Sequence, residues 1–182
     1  MELSVLSTTI TEPVTVDEVK DMMGYTEDDQ DERIRKLIRV ARQWIENKAA
    51  ISCVSKSYKA YFEKGDRDSS GWYELPVAPV LAAPAITVSS CGVSTTFEQK
   101  GLRRVYIRPA AVYSTLTGGS SDNYYVEVTF QAGESNETAN ECIRRIVATM
   151  FNEPQDGAEV SVSRLTYDTL TLIGTINNNT GF

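Results

Sequence analysis

Histidine is absent from this 182-residue sequence, and with it the side chain that most often serves as a general base or a metal ligand. Cysteine is scarce: Cys53, Cys91 and Cys142 stand far apart, and none belongs to a CxxC pair. The N-terminus has no basic region followed by an apolar segment, so no secretion signal is predicted. We therefore expect buried or incidental reduced thiols in a cytoplasmic protein.

Long apolar runs are missing as well, since no stretch approaches the roughly 20 residues that span a bilayer. The formal net charge is −7, which makes the chain a poor candidate for holding nucleic acid through its phosphates. The chain is 41% hydrophobic, which is enough for one core of ordinary size and an appendage. No membrane partner is expected.

The motifs of the common catalytic and nucleotide-binding sites are absent: there is no GxSxG, HExxH, P-loop or dinucleotide-binding glycine fingerprint. Residues 118–121, Gly-Gly-Ser-Ser, lack the lysine and helix of a P-loop and are predicted to form a flexible loop. Asp28, Asp29 and Asp31 do not fit a calcium loop, because Arg33 stands where the EF-hand pattern requires glycine. We interpret them as helix-dipole carboxylates and expect no enzymatic activity, cofactor or metal.

The clearest pattern in the chain is an amphipathic helix over residues 29–49. Its apolar side chains recur at helical spacing: Ile34, Leu37, Ile38, Ala41 and Ile45. A shorter helix over residues 15–23 precedes it, because Thr15 and Glu18 fit a capping box and Gly24 fits a C-terminal cap. Two helices this close in sequence are expected to pack as an αα-hairpin.

Residues 51–131 change to an alternating pattern rich in β-branched and aromatic side chains, which predicts strands. A third helix is predicted over residues 137–152, with Thr138 and Glu141 as its capping box. Because helices and strands are grouped, the fold class is α+β: an N-terminal αα-hairpin, a β-rich middle, one further long helix and an extended C-terminal arm. The expected core is 1–158, and the arm is 159–182.

Arg35, Arg39 and Arg42 form a basic line along the second helix, and Asp28 and Asp29 lie at its acidic start. This line has three interpretations: a solvated face, a surface that meets carboxylates of a neighbouring subunit, or a contact with DNA phosphate.

The arm alternates apolar and polar residues and is predicted to be extended up to a flexible Asn/Thr/Gly-rich end. It either completes this chain's own sheet or adds to a partner's sheet or groove. The side chains that would make the contact are Val160, Val162, Leu165, Tyr167, Leu170, Leu172 and Ile173.

Three stretches taken together resemble the head–tail connector (adaptor) proteins of tailed bacteriophages and prophages. The first is PVTVDEVKDMMGYTEDDQDERIRKLIRVARQWIENKAAI, with its capped short helix, acidic step and long helix. The second is ELPVAPVLAAPAITVSSCG, a proline-bounded strand followed by a strand and turn. The third is YYVEVTFQAG followed by CIRRIVATMFNEP. The resemblance runs from Pro13 to Pro154, and the β-patterned arm departs from it.

The resemblance implies a structural protein of the virion neck, made in the host cytoplasm and located between capsid and tail. Such a subunit forms a ring, usually twelvefold, beneath the portal protein and binds the next neck or tail-completion protein. The arm residues would then contact the portal, and Asp28, Asp29, Arg35, Arg39 and Arg42 would lie between subunits. Twelve copies would carry a formal charge of about −84, so DNA would pass through the lumen without specific binding.

Two other interpretations remain open at this point. The chain could be another neck protein, either a head-closure or a tail-terminator subunit. It could also be a binding module unrelated to phages, with a β-domain that holds a small ligand or peptide.

Overall fold

A computed structural model describes residues 1–8, 11–81, 86–102, 104–112, 125–152 and 167–179. The fold is α+β, as the sequence predicts. The chain divides into two compact units, each built from separate stretches of sequence. We call them the β unit, which holds the described residues of 1–8 and 55–134, and the helical unit, which holds those of 11–54 and 135–179.

The helical unit contains four helices. They are α1 (Val16–Met23), α2 (Asp31–Ala49), α3 (Glu137–Phe151) and α4 (Tyr167–Asn179). The first three lie within two residues of the predicted bounds. The start of α3 differs in its chemistry, since Asn136 is the N-cap and accepts a hydrogen bond from the Ala139 N–H at 2.9 Å. The predicted capping box of Thr138 and Glu141 is therefore wrong, and Glu141 instead pairs with Arg145 at 2.7 Å.

Side chains from all four helices meet in one apolar core. The predicted stripe of α2 lies within it: Ile34, Ile38, Ala41 and Ile45 are at most 2% exposed, and Leu37 packs at its edge. On α3, Ile143 and Ile146 are fully buried in the same cluster, and on α4 Ile176 is 2% exposed. The helical unit is therefore held together mainly by removal of these aliphatic side chains from water, each worth about 1.5–3 kcal/mol before entropy is counted.

The β unit contains eight strands in two antiparallel sheets. They are β1 (Glu2–Thr8), β2 (Lys56–Glu63), β3 (Tyr73–Glu74), β4 (Thr87–Ser90), β5 (Val93–Ser94), β6 (Phe97–Lys100), β7 (Tyr106–Pro109) and β8 (Tyr125–Ala132). The larger sheet has the order β1-β2-β8-β4-β5, and the smaller one has the order β3-β7-β6. Strand β8 pairs with β2 over its full length and with β4 on its other side.

Alternation along β8 matches the prediction. Val126, Val128 and Phe130 are at most 2% exposed, while the residues between them are partly exposed. This register turns one face of the sheet towards the unit's own core, where Phe62 and Tyr73 also lie. The opposite face carries the polar positions of β8.

Two segments differ from the sequence-based expectation. Glu2–Thr8, for which the sequence analysis predicts no strand, forms an edge strand paired with β2. The C-terminal arm was expected to be extended, yet Tyr167–Asn179 is a helix, so the prediction of a β-patterned arm is wrong over those residues. The reason lies in a second period: Thr169, Leu172, Ile173 and Ile176 recur at i, i+3, i+4 and i+7.

Candidate assembly surface on the helical unit

The capping box at the start of α1 fixes where that helix begins. The Thr15 N–H donates to Glu18 Oε2 at 2.7 Å, and the Glu18 N–H donates to Thr15 Oγ1 at 3.2 Å. The hydrogen bond from the Thr15 backbone also lowers the pKa of the Glu18 carboxyl. At the other end, Gly24 adopts a left-handed conformation with φ of 66°, which glycine reaches without strain. Both ends of α1 are thus set locally, as the sequence predicts.

Arg42 is not part of an exposed basic line. It is 5% exposed, its Nε donates to Glu12 at 2.7 Å, and one terminal nitrogen donates to Glu46 at 2.9 Å. Burial opposes the charged guanidinium, but the bond to Glu12 and the charges of Glu46 and Glu12 outweigh it, so the pKa of Arg42 is raised. The prediction that Arg42 lies on an exposed line is therefore wrong, because the side chain is enclosed by carboxylates of its own chain.

The acidic step before α2 is also engaged within the chain. Lys20 is 7% exposed, and its ammonium group lies 2.5 Å from Asp28 and 3.0 Å from Asp31. The hydrogen bonds to Asp28 and Asp31 raise the pKa of Lys20. Asp29 accepts a hydrogen bond from the Tyr25 hydroxyl, and this bond lowers the pKa of Asp29. Asp28 and Asp29 therefore have intrachain partners that position the connection between α1 and α2.

The remaining two arginines of the predicted line are exposed. Arg35 pairs with Glu32 at 3.0 Å, one turn earlier on α2. Arg39 is exposed and makes no ion pair with any residue that the structure describes. Both arginines lie at the rim of a groove of about 390 Å³, whose floor is formed by apolar side chains. The lining residues are Glu12, Val14, Thr15, Val16, Arg35, Ile38 and Arg39.

Several other exposed charges of the helical unit have no ion-pair partner within the described chain. Apart from Glu18, which caps α1, those on α1 and just after it are the acids Asp17, Asp21 and Glu27, and those on α2 besides Arg39 are Lys36 and Lys48. Sequence reasoning named the engaged acids at 28 and 29 and missed these three acids. Helical-wheel analysis of α1 could have found Asp17 and Asp21, because these positions lie on the face away from the apolar positions 16, 19 and 23.

The predicted partner-binding arm is divided by the structure. Val160, Val162 and Leu165 lie outside the described residues, and Tyr167 and Leu170 lie within α4. Leu172 and Ile173 are partly buried against the apolar core of the helical unit. These two side chains therefore contribute to the chain's own fold. The sequence-based alternative of a contact within the chain is the nearer one, but the contact is with helices and not with a sheet.

No group of three or more potential metal ligands comes together among the residues that the structure describes. Within the same ranges, no helix combines the length and hydropathy of a membrane span.

Residues 13–71 match a family model described as "Phage gp6-like head-tail connector protein". The match covers the capped helix α1, the acidic step, α2 and, from the β unit, strand β2. The resemblance that the sequence motifs indicate is thus confirmed over that stretch. Among curated proteins, no sequence matches this chain significantly.

Solved structures of two related particles contain chains with the same fold. One is described as the neck of an empty GTA (gene transfer agent) particle computed with C6 symmetry: its chain is 20% identical, with a TM-score of 0.69 over 97% of this chain and 95% of that chain. Another is the neck of a native GTA particle computed with C12 symmetry, 19% identical, with a TM-score of 0.65 over 97% and 94%. At these identities the likeness establishes a shared fold along nearly the whole chain.

Proposed function

We propose that this chain is a head–tail adaptor of a tailed bacteriophage or a related particle: a structural subunit that forms a ring beneath the portal and links the DNA-filled capsid to the neck and tail. The observation that carries this proposal is the agreement between the connector match over residues 13–71 and the fold shared with neck proteins of gene transfer agents. Its location would be the neck of the virion, and its chemistry would be that of assembly without catalysis.

Ring formation is supported by the symmetry of the particles in which chains of this fold occur. Those necks were computed with sixfold and twelvefold symmetry. A closed ring requires a heterologous interface, in which one patch on a subunit meets a different patch on the next. The helical unit offers candidates for both patches, because its unpaired acids lie around α1 and its unpaired bases lie on α2. We propose a ring of twelve copies.

Passage of DNA through such a ring is favoured by charge. In the full sequence, residues 10–54 and 135–182 contain ten basic and sixteen acidic residues, a formal charge of −6 out of the net −7 of the whole chain. An acidic lumen repels phosphate and would let DNA slide through without specific binding. The basic side chains Arg35 and Arg39 are then assigned to contacts between proteins.

Contact with the portal is proposed for the segment that precedes α4. Val160, Val162 and Leu165 keep the predicted role, while Leu172 and Ile173 pack within the helical unit and act indirectly, by holding α4 in place. The next neck or tail-completion protein would bind on the opposite side of the ring.

The proposal is tested by deleting the gene from its phage or prophage and examining the particles by electron microscopy. We expect DNA-filled heads and free tails that do not join, and joining should return when the gene is supplied in trans. The purified chain should also bind the portal protein of the same genome. Normal tailed particles from the deletion strain, or tails that form but stay unsealed at their head-proximal end, would contradict the adaptor role, the latter in favour of a tail-terminator role.

A further inference from the structure

We infer that the solvent face of α1 in one copy docks on the solvent face of α2 in a second copy, with Asp17 and Asp21 opposite Lys36 and Arg39. This inference rests on the proposed ring and names the surfaces that close it. It differs from the sequence-based expectation, which placed Asp28, Asp29 and Arg42 at the contact. Arg42 is enclosed by carboxylates of its own chain, and Asp28 and Asp29 each have an intrachain partner, whereas Asp17, Asp21, Lys36 and Arg39 have no ion pair among the described residues.

The α1 side of the proposed contact is a short acidic strip with one apolar side chain. Asp17 and Asp21 are four residues apart and therefore lie one above the other on the exposed side of α1. Met22, which is 44% exposed, borders this strip, about 100° around the helix from Asp21. Methionine is flexible and polarizable, so it fits an irregular apolar groove.

The receiving face on α2 has the complementary composition. Lys36 and Arg39 are exposed and have no ion pair within the described chain, and Val40 beside them is 44% exposed. Along one flank of this face runs the groove of about 390 Å³ that Val14 and Ile38 floor. A side chain the size of methionine fits such a space, with Arg35 and Arg39 at its rim available to carboxylates.

A second copy is the occupant that the charges favour. The two strips lie on different helices of one αα-hairpin, carry opposite charge, and are each left uncompensated by the chain that bears them. A contact between them is heterologous, so it leaves one acidic strip and one basic strip free for the next copy. A two-fold dimer centred on α1 would instead place like charges of α1 against each other, which is unfavourable.

Cross-linking between introduced cysteines tests this pairing. In a Cys91→Ser background, which leaves only the buried Cys53 and Cys142, one tagged chain carries Met22→Cys and a second, differently tagged chain carries Val40→Cys. After mixing and brief treatment with a short bismaleimide, we expect mixed-tag dimers and little product from either chain alone. Leu102→Cys, on a β-unit residue that is 91% exposed, replaces Met22→Cys as the matched control and should give only background product.

Charge reversal provides the second measurement. Reversing Lys36 and Arg39 to glutamate should weaken self-association by about tenfold at low salt, as measured by sedimentation, since two exposed pairs are lost and repulsion is added. Reversing Asp17 and Asp21 to lysine should do the same, and a chain that carries all four changes should associate like wild type. The inference would be overturned by equal cross-linking from Leu102→Cys or by a wild-type chain that stays monomeric at high concentration. It would also be overturned if the chain with all four changes associated no better than the two partly reversed chains. If these results contradicted the interface but the deletion strain failed to join heads and tails, the adaptor role would stand and only the proposed interface would be wrong.

Discussion

Glu12 and Arg42, 30 positions apart in the sequence, form an ion pair with 2.7 Å between Glu12 Oε2 and Arg42 Nε. The pair ties the segment before α1 to the middle of α2. Glu46 completes the site, because it accepts from Arg42 at 2.9 Å and from the Cys53 N–H at 2.9 Å. One buried guanidinium thus joins the entry to α1, the body of α2 and the exit from α2.

Replacement of Arg42 by methionine should destabilise the fold by roughly 3 kcal/mol, because the 8%-exposed carboxylate of Glu46 would lose its cation. Urea unfolding followed by circular dichroism measures the loss. The matched control is Arg39→Met, which removes an exposed arginine from the same helix and should change stability by less than about 0.5 kcal/mol. Equal losses for the two variants would show that the buried pair is not what stabilises this region.

The elements that local rules specify could be predicted from the sequence. The capping box at Thr15 and Glu18, the glycine at position 24, the apolar stripe of α2 and the alternation of β8 each depend on neighbours within a few residues. Arg42 could not be predicted as buried, because its partner Glu12 comes from outside the helix and helical spacing alone placed it in line with Arg35 and Arg39. A long-range partner has no signature in a local pattern.

Loss of the Thr15 hydroxyl should cost about 1 kcal/mol, because the Glu18 N–H at the start of α1 would lose its acceptor. The comparison is Thr15→Ala against Thr26→Ala, in the connection that follows α1, which should be nearly neutral. Thermal unfolding measured side by side separates the two. If Thr26→Ala destabilised the protein as much as Thr15→Ala, the loss of stability could not be assigned to the capping hydrogen bond.

The same cap predicts that the free energy of unfolding depends on pH in the acidic range. The pKa of the Glu18 carboxyl is lowered from its ordinary value of 4.5, mainly by the hydrogen bond from the Thr15 backbone. A carboxyl whose pKa falls on folding stabilises the protein above its unfolded pKa, and this contribution is lost as pH falls through the folded pKa. Glu18→Gln should therefore flatten the decline in stability below about pH 4.5. Urea unfolding at a series of pH values measures this slope, and identical slopes for Glu18→Gln and the wild type would contradict the argument.

The C-terminal helix gives a pair of variants with opposite expected signs. Ile176→Ala should cost about 2–4 kcal/mol, because it leaves a cavity where a 2%-exposed side chain packs on the core. Gly174→Ala, at an exposed site with nothing within 4 Å of the added Cβ, should stabilise by about 0.5–1 kcal/mol through helix propensity. Unfolding in urea measures both. If neither substitution changes stability, α4 does not pack as described.

The misjudged C-terminal helix has a definite physical origin. Its apolar residues satisfy a two-residue period as well as a helical one, and Thr169, which is 2% exposed, breaks the apolar stripe that would have identified a helix. Burial against α2 and α3 decides between the two periods, and that burial depends on residues more than 20 positions away. The same limit applies to the candidate assembly surface. The sequence predicts which charged residues are exposed on a helix, but it does not predict which of them form ion pairs within the chain.

Thiol reactivity separates the three cysteines. Cys142 is fully buried on α3, and burial raises the pKa of its thiol to about 11, so almost no thiolate exists at neutral pH. Cys53 is 1% exposed, whereas Cys91 is partly exposed in the turn between β4 and β5. In the native protein at pH 7.5, about one equivalent of a maleimide should therefore react, at Cys91, and all three thiols should react in denaturant. Mass spectrometry of digested protein identifies the site, and Cys91→Ser should abolish native labelling. Prompt modification of Cys142 in the folded chain would mean that the core of the helical unit opens far more readily than its packing indicates.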